Sequence, residues 1–524
     1  MVEDPVTGKN LQTLRRWQMF SNFQLLFQGL ASAATPINLL SCLLGGVLGL
    51  FVGAMPGIGS VSGCSLLLPI TYRMNPSAAI IMLAGIYYGN MYGGAYSAIL
   101  LNIPGDSPAV CTALEGYPLS KRGKAGKALF TANFASFIGG TMGVFFLTLG
   151  GPLLAKIGLK FGPVETAALV LFALTSIGWM LGDSPTKGLI ATGLGVILST
   201  IGVDQSSGSF RYTFGSWKLL AGINFVPLVI GMFGFSQVML MMRDEGVMEK
   251  AAAYKGRLRY KDCFLSFKET VRLIPQAMRD AILGQFIGFL PGAGGTSASL
   301  ISYMMERKVN RNKALMGTDE GSYEGVVSAE AANNAAAVGA FVPLLSLGIP
   351  GSSTTAVLLG GLMAWGLTPG PLLFQDQPDF VWSLIGSMYI GNLLCLLFGI
   401  LAIPFILNLL KIPNKIMAPI IAVVCVVGAY ATNNNMFDVW VMLVAGVAGY
   451  VFNKHKVPAA PLVLAFVLAP IFEVKARQAL EISRCNFSVF LTHPISCVFI
   501  VLTVAMLLTP VVMKVLKKGT GKGK

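Results

Sequence analysis

The chain has 524 residues, 54% of them hydrophobic and 12% charged, with a net charge of +15. A soluble domain averages about 25% charged residues, so this composition, with a mean hydropathy of +0.70, excludes an ordinary soluble protein. The positive charge reads as loop charge beside a membrane, with no nucleic-acid partner implied. Runs without Asp, Glu, Lys or Arg cover 17–72, 74–105, 128–155, 219–242, 331–375, 381–410, 416–437 and 487–513. A membrane barrel would alternate over strands of about ten residues. These runs instead predict an all-α polytopic membrane protein lying in the lipid bilayer, with about ten to twelve membrane segments, some re-entrant or broken. The eight cysteines are scattered without a Cys-x-x-Cys and read as small buried hydrophobes.

In chain order, 1–35 reads as an N-terminal interfacial segment, with Trp17, Phe20, Phe23, Leu26, Phe27 and Leu30 at helical spacing. Lys9, Arg15 and Arg16 precede a polar-interrupted stretch, so no cleavable leader is expected. A first transmembrane repeat is placed at 36–243, with a buried helix over 78–101 and spans near 128–149, 164–181, 187–202 and 219–242. Residues 244–279 read as a basic cytoplasmic linker: Arg243 to Arg279 holds nine Lys or Arg against five Asp or Glu, which disfavours translocation. A second transmembrane repeat is placed at 280–513, with late spans near 381–410, 416–433, 436–452, 457–472 and 487–513. Residues 514–524 form a basic tail.

The repeat rests on two pairs of motifs. Gly49-Leu50-Phe51-Val52-Gly53-Ala54-Met55-Pro56-Gly57-Ile58-Gly59 returns as Gly284-Gln285-Phe286-Ile287-Gly288-Phe289-Leu290-Pro291-Gly292-Ala293-Gly294, identical at six of eleven positions. Leu101-Asn102-Ile103-Pro104-Gly105 pairs with Leu347-Gly348-Ile349-Pro350-Gly351. The offset is 235 residues for Gly57 to Gly292 and 246 for Gly105 to Gly351, which places about eleven extra residues of the second half in 306–325. Proline removes a backbone donor and glycine permits left-handed backbone, so each motif should interrupt a helix. Basic residues follow the second motif in the first half (Lys121, Arg122, Lys124, Lys127) and the first motif in the second half (Arg307, Lys308, Arg311, Lys313). That exchange is what two repeats of inverted membrane orientation would show.

Interrupted segments at matching points of two halves point to a transporter's binding site. Helix starts at such breaks offer N–H donors and a positive dipole end to anions. The expected substrate ligands are Ser60, Ser62, Asn102, Ser107, Ser297, Ser352, Ser353, Thr354 and Thr355. Freed carbonyls, amides and an intramembrane acid suit a coupling cation, and Gly57, Gly59, Asn90, Gly292, Gly294, Glu330, Asn333 and Asn334 are the expected set. Asp106, Glu115, Asp183 and Glu324 are further acids in or beside apolar runs. No catalytic residues, cofactor or resident metal are expected. His455 and His493 lie apart from any Cys or acid pair, His-Glu-x-x-His and Gly-x-Ser-x-Gly are absent, and Gly57 to Gly63 misses the dinucleotide spacing.

Met55-Pro56-Gly57-Ile58-Gly59, Ala84-Gly85-Ile86-Tyr87-Tyr88-Gly89, Leu100-Leu101-Asn102-Ile103-Pro104-Gly105, Ala113-Leu114-Glu115-Gly116-Tyr117-Pro118, Glu330-Ala331-Ala332-Asn333-Asn334-Ala335 and Leu347-Gly348-Ile349-Pro350-Gly351-Ser352 together resemble the large membrane subunit of the bacterial tripartite tricarboxylate transporters, over roughly 20–510. Glu115 stands where the resemblance leads one to expect Asp. The resemblance implies a secondary symporter of the bacterial inner membrane, driven by Na+ or H+. Its implied partners are a small four-span membrane subunit and a periplasmic solute-binding protein that delivers a small organic carboxylate, di- or tricarboxylate; homodimerisation is left open. The alternatives are a carboxylate carrier without a binding protein and an anion channel.

Overall fold

The computed structural model describes residues 11–520, apart from 56, 181–184, 205–206, 244–257, 311–313 and 411. The first half begins with α1 (Leu11–Ala33), α2 (Pro36–Ala54), α3 (Gly59–Thr71) and α4 (Pro76–Leu101). A single turn at Ser107–Ala109 leads into α5 (Val110–Leu119), followed by α6 (Ala125–Gly158), α7 (Pro163–Met180) and α8 (Pro185–Ser199). A short antiparallel hairpin of β1 (Gly202–Val203) and β2 (Phe210–Arg211) precedes α9 (Phe225–Val229) and α10 (Ser236–Arg243), which a widened turn at Ile230–Phe235 joins into one span. After α11 (Tyr260–Cys263) come α12 (Phe267–Gly288), α13 (Gly294–Val309), α14 (Tyr323–Gly339), α15 (Phe341–Leu347), α16 (Ser353–Ala364) and α17 (Leu373–Asp376). The chain closes with α18 (Pro378–Ala402), α19 (Ile406–Leu410), α20 (Asn414–Asn433), α21 (Met436–Lys454), α22 (Ala460–Ile482), α23 (Val489–Thr492) and α24 (Pro494–Thr520).

The protein is thus an all-α polytopic membrane protein. Among the described residues, six helical stretches are long and apolar enough to cross a bilayer, and shorter apolar helices such as Gly59–Thr71 and Ser353–Ala364 accompany them. Two helices are buried on every side: α4 from Ala78 to Leu101 and α14 from Gly325 to Gly339. Such helices can pack only where neighbours come close, and glycine makes that possible. Gly45, Gly49 and Gly53 of α2 lie against the carbonyls of Met82, Ile86 and Asn90 in α4; a Cβ on Gly49 would stand 2.5 Å from the Ile86 oxygen. In the second half Gly284 and Gly288 of α12 lie in the same way against Ala332 and Ala336 of α14.

The helices break where the motifs predict. Gly57 and Gly59 have φ of 90° and 55°, and Gly292 and Gly294 have 82° and 57°. Asn102 and Gly348, both left-handed, end α4 and α15. Proline 56 lies outside the described residues, while Pro104, Pro291 and Pro350 all sit in the breaks. From these breaks α5 and α13 run side by side toward a basic end formed by Lys121 and Arg122 after α5 and by Arg307 and Lys308 in the last turn of α13, where Arg122 pairs with Glu320 at 3.1 Å. Helices α3 and α16 also pack together, and their far ends, at Tyr72 and Ala364, border one groove with Asn224.

Several expectations shift. Residues 267–279, assigned to the linker, are the first turns of α12, because Ser266 and Glu269 form a capping box. Residues 219–224 are turns following the hairpin; the span begins at Phe225 behind its Asn224 cap. The segment read as interfacial is α1, which packs along α18: Gly29 abuts the Trp382 backbone, and Ser32 donates to Ser383 at 3.1 Å. Helix α22 continues to Ile482, beyond the span expected to 472. Part of the extra length in the second half goes into α13, 16 residues against 13 in α3.

Leucine at Gly89 or Gly284 would meet backbone at 2.5 and 2.2 Å. Overpacking of this kind costs about 1–3 kcal/mol or more, so both variants are expected to lose the monodisperse peak in size-exclusion chromatography. Gly150→Leu and Gly193→Leu, where nothing lies within 4 Å of the new Cβ, should keep it.

Candidate binding cavity

The starts of α3, α13, α16 and the turn leading into α5 converge on one cavity of about 700 Å³. Gly57 to Ser62, Asp106 to Pro108, Gly292 to Ser297 and Ser352 to Thr354 line it, with Tyr87 and Met91 of α4. The rest of the wall comes from Met232 to Leu240 and from α21 and the loop before α22, at Asn453 and Val457 to Ala460. Among the described residues of the wall there is no Lys or Arg. Positive potential therefore comes from helix starts, where the first N–H groups have no intrahelical acceptor.

Asp106 is the wall's acid, and it is engaged. Its Oδ2 accepts from the Ser60 N–H at 2.9 Å and the Ser60 hydroxyl at 2.8 Å, and its Oδ1 accepts from the Ser107 N–H at 2.7 Å. One carboxylate thus caps two helix starts of the first half. No acid takes that place in the second half. There Ser352 accepts from the Thr355 N–H, and the Thr355 hydroxyl accepts from the Ser352 N–H, in a neutral capping box. Gly292 N–H donates to the Gly351 carbonyl at 3.1 Å, tying the two second-half breaks together. The halves are joined across the cavity by hydrogen bonds between Ser60 and Thr354 at 2.9 Å and between Tyr87 and Ser352 at 3.0 Å.

Of the expected substrate ligands, Ser60, Ser62, Ser107, Ser297, Ser352, Ser353 and Thr354 are together on this wall. Ser62 donates its hydroxyl to the Phe233 carbonyl at 3.1 Å. Asn102 and Thr355 are not on it. Asn102 is exposed on the left-handed turn ending α4, and Thr355 is fully buried in the capping box. Of the expected cation ligands, Gly57, Gly59, Gly292 and Gly294 line the cavity. Asn90 is buried against Gly53, and its side-chain amide has no hydrogen-bond partner.

Glu330, Asn333 and Asn334 form a separate cluster behind the wall. Glu330 is 0% exposed. Its carboxylate accepts from the Thr112 hydroxyl of α5, from Ser136 of α6 at 3.2 Å and from the Asn333 amide at 3.2 Å. The Asn334 amide donates to Ser136 at 2.8 Å and Asn333 at 2.6 Å, while its Oδ1 has no partner. One α5 turn further on, Glu115 accepts from the Tyr303 hydroxyl and the Gly317 N–H, each at 2.6 Å.

Sequence reasoning did not assign Asp106 its capping role, nor Tyr87, Gln237 and Asn453 to the wall. Polar residues inside uncharged runs were the available signal for the last two. His493, read as lying apart from any Cys or acid pair, meets the single acid Glu165 at 2.6 Å. Asp183 lies outside the described residues, and Glu324 is half-buried beside Ser322.

The chain is similar to two proteins of Agrobacterium vitis. One, described as an uncharacterized 52.8 kDa protein in the TAR-I ttuC' 3' region, is 39% identical over 91% of this chain and 93% of its own length. The other, an uncharacterized protein in the TAR-II ttuC' 3' region, is 42% identical over 41% of this chain and 87% of its own. No solved structure matches. Residues 39–464 match the tripartite tricarboxylate transporter TctA family, and with the broken helices meeting at one cavity this gives the chain its place: it belongs to that family.

Proposed function

We propose that this chain carries a small organic carboxylate, di- or tricarboxylate, into a bacterium across the inner membrane as a secondary symporter driven by Na+ or H+. In this reading a periplasmic solute-binding protein delivers the substrate, a small four-span membrane subunit completes the assembly, and the carboxylate leaves chemically unchanged. The observation that carries the reading is the convergence of four helix starts on a cavity without a basic side chain. A carboxylate there is held by N–H groups and hydroxyls, which release it more readily than a buried Arg would. The second-half starts favour it most, because Asp106 already occupies the first-half ones.

The two halves are read as inverted repeats. Helix α3 packs with α16 and α5 with α13, so each half supplies one post-break helix to each pair, and in this reading the two pairs lead to opposite ends. The basic end, at Lys121 and Arg307, is assigned to the cytoplasm. Alternating access then amounts to movement of the two broken assemblies against the continuous spans.

The assay is counterflow of radiolabelled citrate, and then of a panel of dicarboxylates, in liposomes carrying this chain and its small subunit, with binding protein outside. Exchange against a gradient is expected; flux without accumulation would mark a channel and remove the carrier reading. Thr296 is exposed in the first turn of α13 on the cavity wall. Thr296→Asp places a negative charge at that helix start and is expected to abolish exchange, while the neutral Thr296→Asn retains it. Equal activity of the two would take the helix start out of the anion site.

Ser353 lines the cavity at the start of α16. Its replacement by Ala removes one hydroxyl and is expected to raise the half-saturating substrate concentration up to about tenfold, about 1.4 kcal/mol, with the amount of protein in the membrane unchanged.

A further inference from the structure

The buried polar groups of α5, α13 and α14 do not stop at the cavity wall. Pro108 and Gly295 line the cavity, and a Cβ on Gly295 would touch both Pro108 and the Asn333 carbonyl. Directly behind them the Asn333 amide and the Thr112 hydroxyl donate to Glu330. From Thr112 the next polar groups on α5 are Cys111, which faces Ser299 of α13, and Glu115. One turn beyond Ser299, Tyr303 donates to Glu115, and Glu115 reaches the Gly317 N–H in the loop at the basic end.

Two features mark this line as more than packing. Both carboxyls are 0% exposed, and among the described residues neither forms an ion pair. Glu115 feels the Arg307 charge but is not in ion-pair contact with it; a buried carboxylate without an ion-pair partner is costly, so such a group holds a proton or a cation for part of its working life. In addition, Asn334 is 1% exposed, and among the described residues neither its Oδ1 nor Glu115 Oε2 has a hydrogen-bond partner that meets full geometry. An amide oxygen can accept a hydrogen bond from a protonated carboxyl, and a free carboxylate oxygen can take up the proton itself.

We propose that Glu330 and Glu115 form a proton path from the cavity to the basic end of the protein. A proton from water in the cavity protonates Glu330. From Thr112 it passes by way of the Cys111 thiol and the Ser299 hydroxyl to Tyr303 and Glu115, leaving Glu330 as carboxylate, and Glu115 releases it to water beside Gly317. Each transfer breaks one O–H or S–H bond and makes another, with no other reactant. Tyr92 and Tyr96 of α4 and Cys111 of α5 face Glu330, with Asn133 and Ser136 on α6; Tyr303 and Arg307 of α13 and Cys111 face Glu115. The cluster contacts are hydrogen bonds donated onto the carboxylate, an arrangement that suits a site exchanging a proton. The direction of proton flow rests on the uptake reading; the existence of two titrating carboxyls does not.

The test is infrared difference spectroscopy on the purified chain in phosphatidylethanolamine–phosphatidylglycerol liposomes, without substrate, between about pH 5 and about pH 9, where buried carboxyls change charge. The wild type is expected to show buried-carboxyl C=O bands that vanish as pH rises. Glu330→Gln and Glu115→Gln should each lose one. Absence of such bands in the wild type, or their survival in both variants, overturns the proposal, and the wild-type measurement decides if a variant fails to fold. Replacing choline chloride by sodium chloride at fixed pH should leave the bands in place; their loss on adding sodium makes this a sodium site and overturns the proton path. If the wild type exchanges no carboxylate yet keeps the bands, the uptake reading falls and the titrating pair stands.

Discussion

Among the described residues, four helix starts meet at one cavity, and the N–H groups of their first turns are the constraint the surrounding structure answers. In lipid or in a packed interior, each such group left without an acceptor costs several kcal/mol. The chain meets this in two ways. In the first half, the Asp106 carboxylate accepts from two helix starts at once, at Ser60 and Ser107. In the second half, Ser352 and Thr355 satisfy each other, and the Gly351 carbonyl takes the Gly292 N–H. The first turns of α3, α13 and α16 line the cavity, where solvent or an anion can satisfy donors that the chain does not.

Holding those starts in place requires rigid neighbours, and the glycine seams supply them. Helix α4 could not be buried on all sides beside α2 unless the two backbones approached closely, and Gly45, Gly49 and Gly53 meet Gly85, Gly89 and Gly93 in that seam. The break after α2 and the break after α4 are consequently fixed with respect to each other: the Gly105 Cα packs against the Gly53 carbonyl. The seam between α12 and α14 fixes the second pair of breaks, and Gly351 stands against Gly288 as Gly105 does against Gly53. The repeated glycine spacing and the repeated breaks are parts of one design: close helices first, then a precise meeting of their interrupted ends.

Much of this was legible because glycine and proline state backbone geometry directly. Gly57, Gly59, Gly292 and Gly294 all take the left-handed conformation that their spacing suggests, and Asn102 and Gly348 end their helices alike. Side-chain placement was less legible. Thr355 stood in the same polar run as Ser353 and Thr354, yet it turns inward to cap its own helix, a choice set by one helical turn of geometry that composition does not carry. Asn102 was grouped with the cavity for its polarity, but its left-handed backbone places it on the exposed side of the turn. Glu330 could be identified as an intramembrane acid, whereas its partners Thr112 and Ser136 come from α5 and α6, two hundred residues away in an order that only the tertiary fold brings together. The boundary near residue 267 was missed for a local reason: the Ser266–Glu269 capping box lies within a stretch whose high charge reads as loop.

The paired breaks share left-handed residues at matching motif positions and differ in chemistry, and that difference bears on the electrostatics of the cavity. Position 106 is Asp, while its counterpart at the offset of the second motif is Ser352. A carboxylate at one pair of helix starts offsets their positive potential, whereas a serine satisfies donors without adding charge. Conversely, the second half keeps a carboxyl at Glu330, whose first-half counterpart is Ala84. The first half thus places its acid at the cavity surface, saturated by N–H groups, and the second half places its acid behind the wall, among neutral donors. On the proposed reading, an anion between them would meet the stronger positive field on the side of α13 and α16, one layer of side chains from Glu330. Had both halves kept the same residues, the cavity would present either two saturated ends or two open ones. Its present asymmetry gives an anion a preferred end and puts an ionisable group within one side chain of it.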